Sequence, residues 1–314
     1  MAKALIAALI PVIFTIMFGF FSGYIKSFDK KVPAILNKVV MNYALPLSLF
    51  FALNQMPKEK IFANWRIVMW EFVMMVGWWF GVYFFSKYVL HSSTILSIIR
   101  ALALSTPAIL FVGPALLTPL FPGNAAIAIS IGGLMMNAVQ LPLTMFALTL
   151  ATTKKTDNLL VNVGQVVING LKKPVIIGAF IGLITALLGW RLPALAAPTF
   201  EELGKAAAGL GLFSIGLILW FNKPSFSGIV WFDVIVKEVV MPLSVMVIMM
   251  LCGESRMFVN EMTMTMMISQ MIFPTIFSQQ YGEGEQEMPS AMFLTTIGSF
   301  FVLMCFIILR GISL

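Results

Sequence analysis

Charge is scarce in this sequence. Only 11% of its 314 residues are Asp, Glu, Lys or Arg, against about 25% in soluble globular domains. That shortage excludes a single water-soluble domain, because too little polar surface is available to cover a chain that is 60% hydrophobic. Histidine occurs once, as His91, and cysteine twice, as Cys252 and Cys305. No metal site and no disulfide framework is therefore expected, and the two thiols, in or beside apolar runs, read as inert core residues. No P-loop and no catalytic signature occurs, so neither an ATP-driven pump nor an enzyme is expected, and no cofactor is implied. A dense basic run is missing too. The net charge of +7 is dispersed, which argues against a nucleic-acid partner and fits a chain bordered by a membrane surface.

What the sequence has in abundance is apolar length. Mean hydropathy is +0.98, and a bilayer-spanning helix needs about 20 apolar residues. Apolar runs fall near 4–24, 33–53, 65–89, 95–121, 125–150, 170–189, 198–221, 226–251, 257–281 and 288–310. The first is too long for a signal-peptide core and is followed by Lys26, so it reads as an uncleaved span. The expected fold is an all-α polytopic membrane protein of ten transmembrane helices. Counting Lys and Arg by side gives 8 with the termini and 12 opposite. The positive-inside rule then puts both termini outside and the 151–169 connection in the cytoplasm, for a protein of the plasma (inner) membrane. The acidic stretch 283–287 is expected to be a solvated extracellular loop.

The two sides of that connection carry matching features. Span four holds Val112-Gly113-Pro114 and span nine Ile272-Phe273-Pro274, an offset of 160. The same offset pairs Pro122-Gly123-Asn124 with Gly282-Glu283-Gly284, and Trp70-Glu71 meets Phe232-Asp233 close to it. Five spans is an odd number, so a second copy must be inverted. Residues 1–150 and 170–314 are expected to be two inverted five-helix repeats. Inverted repeats with interrupted helices at matching positions point to a secondary transporter and to its binding site.

The residues that could do chemistry are few. Half-helix ends near Gly113-Pro114 and Pro274 would offer backbone N–H groups and positive potential to an anion. Ser105 and Thr106 precede the first break; Ser269, Gln270 and Thr275 flank the second. On span five, Ser130, Asn137, Gln140 and Thr144 share a helical face, as ligand donors or as glue between helices. Pro46, Ser48 and Asn42 on span two would form a facing wall. Glu71, Asp233 and Glu238 are candidates for ion coupling. Asp233 and Lys237, at i and i+4, are expected to neutralise each other. Coupling to Na⁺ through the carbonyls of broken helices stays open beside H⁺. The closely spaced Met262, Met264, Met266 and Met267 read as packing.

These features resemble the auxin efflux carrier family of membrane transporters, most nearly its bacterial malonate carriers. The resemblance rests on Asn42-Tyr43-Ala44-Leu45-Pro46, Ser105-Thr106-Pro107, Phe111 to Leu117, Asn137 to Thr144, Lys173-Pro174, Gly211 to Gly216, and Phe273-Pro274 with Tyr281-Gly282. One feature departs: the Asn that many relatives carry at the start of the fourth-span crossover is replaced by Pro107 or Ala108. The resemblance implies a scaffold of spans one, two, six and seven. It also implies a transport domain of spans three to five and eight to ten, with helices four and nine broken and crossing. The implied function is elevator-type transport of a small organic anion, malonate or a similar dicarboxylate, with H⁺ or Na⁺ and with a homodimer formed through the scaffold. Auxin-like monocarboxylate efflux, or a metabolite receptor without transport, are the competing readings.

Overall fold

The computed structural model describes residues 2–55, 63–109, 112–113, 117, 120–121, 125–152, 174–193 and 195–312. The molecule is all-helical: no strand occurs among the described residues. This follows from composition, because a chain this apolar must satisfy its backbone within itself, and helices do so locally. The helices are α1 (Ala2–Tyr24), α2 (Val32–Val39), α3 (Leu45–Asn54), α4 (Trp65–Tyr88), α5 (Thr94–Ser105), α6 (Ala125–Leu134) and α7 (Leu141–Thr152). They continue with α8 (Pro174–Leu187), α9 (Ala197–Asn222), α10 (Gly228–Ile235), α11 (Met241–Leu251), α12 (Arg256–Met266), α13 (Phe273–Tyr281) and α14 (Glu287–Arg310). Among the described residues, four helical stretches are long and apolar enough to cross a membrane: Trp65–Tyr88, Ile127–Thr152, Gly228–Leu251 and Glu287–Arg310.

Among the described residues, three joins between helices are not loops but π-helical turns, at Val40–Ala44, Met135–Gln140 and Val236–Val240. Each is followed by a proline at the second position of the next helix: Pro46, Pro142 and Pro242. Proline removes an N–H and its ring presses on the carbonyl four residues back, and a widened turn relieves that contact without ending the helix. The widened turns hold Asn42, then Asn137 and Gln140, then Lys237 and Glu238. Some of the polar groups in the apolar runs thus sit where the helix is locally opened.

Two helix pairs pack backbone to backbone. A Cβ on Gly216 of α9 would lie 2.0 Å from the Ile16 carbonyl oxygen of α1. A Cβ on Gly178 of α8 would lie 2.3 Å from that of Pro46 in α3. Only glycine permits such approach, and close backbone contact replaces the hydrophobic effect as the cause of helix association inside lipid. Outward-facing Phe14, Phe18, Phe21, Phe80 and Phe84 leave a broad apolar exterior. Cys252 and Cys305, expected in the core, are both exposed. The apolar stretches that hold them turn part of their surface outward, as lipid-facing helices do.

The 283–287 stretch lies with the lysine-rich loops and not opposite them. Glu287 bonds Arg100 of α5, and Ser225 of the 223–227 loop donates its N–H to Ser290 Oγ at 2.9 Å. The extracellular expectation for this stretch and the cytoplasmic expectation for the lysine-rich connections therefore describe one and the same face.

Candidate functional site

α5 stops at Ser105. Thr106 is its extended C-cap (φ −115°, ψ 113°), because the ring of Pro107 disfavours the helical region for the residue before it. α12 stops at Met266, and helix resumes at Phe273 with Pro274 in its first turn. The two interruptions meet. Pro107 and Gln270 form an antiparallel backbone bridge, and Ala108 donates its N–H to the Ser269 carbonyl at 2.9 Å. The ends of broken helices therefore converge on one crossing.

The first break lies earlier than the sequence suggested. It is at Thr106–Ala108, whereas Gly113 sits in a helical turn. A Cβ on Gly113 would meet Ile109 and Ile129 side chains at 3.1 Å, so this glycine allows close packing on α6. Pro114 lies outside the described residues, as does the side chain of Ser130. Pairing Pro107 with Gln270 gives an offset of 163 in place of 160.

Span-five polarity turns out to brace the crossing. Gln140 Nε2 donates to the Met75 carbonyl at 2.8 Å and to Ser105 Oγ at 2.9 Å, while Thr106 donates to Gln140 Oε1. Trp79 Nε1 donates to Thr144 Oγ1 at 3.0 Å. Gln140 and Thr144 thus join α4, α5 and α7. Asn137 is buried with no hydrogen-bond partner for Oδ1, and Gln270 Oε1 is in the same condition. Gln270 Nε2 reaches the Met288 carbonyl at 3.1 Å. Thr275 contacts Met292 Sδ at 4.0 Å. Ser48 is half-buried on α3.

The expected Asp233–Lys237 pair is not formed. Asp233 is taken by Arg100, whose Nε lies 3.0 Å and 3.1 Å from the two carboxylate oxygens. The same guanidinium reaches Ser86 at 3.0 Å, Ser92 at 2.9 Å and Glu287 at 2.7 Å. A planar fork with several donors satisfies a buried carboxylate better than one ammonium can. The π turn beginning at Val236 also breaks the i, i+4 geometry that the pairing needed. Lys237, fully buried, donates to the Met266 carbonyl at 2.9 Å and lies 3.8 Å from Met241 Sδ. Its charge therefore caps the negative C-terminal end of α12 at the crossing. Glu71 and Glu238 are buried, and their carboxyl oxygens have no hydrogen-bond partners. Gly132 leaves room for Glu71: a Cβ there would come within 2.8 Å of a carboxyl oxygen.

A family of transport proteins now comes into view. The family model described as "Membrane transport protein" matches residues 4–307. The chain belongs to that family. Its members are auxin efflux carrier-like membrane transporters, and this chain is an integral membrane protein. It is similar to the "Uncharacterized transporter YfdV" of Escherichia coli (strain K12), 31% identical over 282 residues, covering 87% of this chain and 85% of that one. The YfdV proteins of Escherichia coli O157:H7 and Shigella flexneri match at the same level.

Two buried groups escaped the sequence reading. Arg100 was counted as a charge at a span end, although a single Arg followed by apolar residues could have signalled a buried hub. Glu261 lies inside the ninth apolar run, is buried, and is near enough to Glu71 for the carboxyls to interact electrostatically. No group of three or more His, Cys, Asp or Glu that could hold a metal occurs among the described residues.

Proposed function

We propose that this chain is a secondary active transporter of a small organic anion, with malonate or a similar dicarboxylate as the first substrate to test. The observation that carries this reading is the crossing of two broken segments with Lys237 beside it. A carboxylate entering lipid needs donors or positive potential. Half-helix N-terminal ends and a buried ammonium offer both. Lys237 also stands at a helix C-terminal end, where broken-helix transporters can bind Na⁺. A resident cation there favours H⁺ over Na⁺ as the coupling ion, with Glu71 and Glu261 as the proton-carrying groups.

The ten-helix inverted repeat belongs to the same proposal. Trp65–Tyr88 and Gly228–Leu251 are both 24 residues long and begin 163 residues apart. Ser93 and Ser255 both cap the helix that follows, accepting from Leu96 and Phe258. The glycine contacts of α1 with α9 and α8 with α3 support a rigid scaffold of spans one, two, six and seven. An elevator-type shift of the remaining helices against it would carry the crossing from one side to the other. The lysine-rich face is read as cytoplasmic and the termini as outside the inner membrane.

The test is uptake of labelled malonate into liposomes holding the purified chain, with an imposed proton or sodium gradient. Saturable uptake that a proton gradient drives and Lys237→Met removes is the expected result. Uptake of indole-acetate in place of malonate would move the substrate to the monocarboxylate reading. Anion binding with no flux under either gradient would refute transport in favour of a receptor.

A further inference from the structure

A second polar site lies away from the crossing. A cleft of about 300 Å³ opens between α2, the π turn Val40–Ala44 and the end of α13, lined by Ala34, Asn37, Lys38, Asn42, Gln279 and Gln280. We propose that this cleft binds a small carboxylate, which docks on Lys38 and Asn37 before reaching the crossing. Only the role as an entry site rests on the transport reading; the binding itself does not.

The lining contains one ammonium, four carboxamides and no carboxylate, a donor set suited to an anion. Asn37 gives the strongest indication. It is 5% exposed, and Ser214 donates to its Oδ1 at 2.9 Å, which fixes the amide's orientation. Nδ2 is left without a partner, and among the described residues it is the one buried side-chain nitrogen in that state. A buried donor with nothing to bond is destabilising, and an anion in the cleft would remove that cost. Lys38 follows Asn37 on the exposed side, and Asn42 enters from the π turn. Such turns frequently mark functional positions in helices. α13 contributes Gln279 and Gln280 from the half-helix that follows the second break. The cleft therefore joins a helix of the proposed scaffold to one of the proposed moving elements. An anion held there would feel the first movement of α13.

The experiment measures equilibrium binding of labelled malonate to the full chain in nanodiscs, with Lys237→Met present throughout so that binding at the crossing does not mask the cleft, and flux of Lys237-containing chains into liposomes is measured in parallel. Lys38→Gln should weaken malonate binding about tenfold or more, the scale of one charge-assisted bond. Lys38→Arg should retain binding within about threefold, and Lys31→Gln, outside the cleft lining, should leave it unchanged. Asn37→Leu, checked for folding by gel filtration, should also weaken binding. Lys38→Gln binding as tightly as the Lys237→Met chain alone overturns the proposal, whether or not the chain transports. Lys38-dependent binding without flux in any variant would keep the cleft and discard transport. Absence of malonate binding to the Lys237→Met chain overturns the cleft as a carboxylate site.

Discussion

Replacing Arg100 by Met should be among the most damaging single changes in the chain. Arg100 is 1% exposed and joins Asp233, Glu287, Ser86 and Ser92, which come from three helices and a loop. Without it, Asp233, itself 1% exposed, has neither counter-ion nor donor and must either hold an unpaired buried charge or take up a proton at a cost. Removing one partner of a buried ion pair costs about 3–5 kcal/mol, far more than the pair itself contributes. At about 2–4 °C per kcal/mol for domains of 150–250 residues, the unfolding midpoint should fall by roughly 6 °C or more. The asymmetry is the diagnostic. Arg100→Met with Asp233→Asn removes both charges, and Glu287, being part-exposed, can turn to water. The double variant should therefore recover at least half of the loss. The assay is thermal unfolding of the detergent-solubilised protein followed by tryptophan fluorescence, for which the chain has 7 Trp. A double variant no more stable than Arg100→Met would refute the argument that an orphaned carboxylate causes the damage.

Other changes have distinct signatures. Gly216→Leu should separate α1 from α9 and destabilise by about 1–3 kcal/mol or more, read as lost monodisperse protein. Gly77→Ala, where no atom lies within 4 Å of the added Cβ, should raise stability by about 0.5–1 kcal/mol. Gln140→Leu strands the Met75 carbonyl and the Thr106 hydroxyl, at about 1–3 kcal/mol, and should lower uptake of any transported anion. Glu71→Gln or Glu261→Gln should remove the proton-gradient dependence of uptake while leaving malonate exchange; unchanged gradient dependence in both would exclude them as proton carriers.

The residues that could be read in advance were those whose signal is local. Pro274 announces the second break because a missing N–H interrupts the helix wherever it falls. Gln140, Ser105, Thr106 and Gln270 were singled out for polarity in apolar runs, and the fold brings them to or beside the crossing. The location of the first break was missed because Gly113-Pro114 is the more conspicuous pair, while the backbone departs at Thr106. The Asp233–Lys237 pairing failed because spacing along one helix says nothing of a guanidinium arriving from another.

Sequence by itself determined that this chain is helical, membrane-embedded and interrupted twice, because apolar length, scarce charge and proline act within a few residues of where they stand. Tertiary structure alone decided which charge meets which. Arg100 finds Asp233 and Glu287, Lys237 finds the end of α12, and Asn37 and Lys38 come to face Gln279 and Gln280 from more than 240 positions away. Those pairings depend on how helices cross, and the crossing is set by close contacts such as Gly216 on Ile16, whose partner the local sequence does not specify.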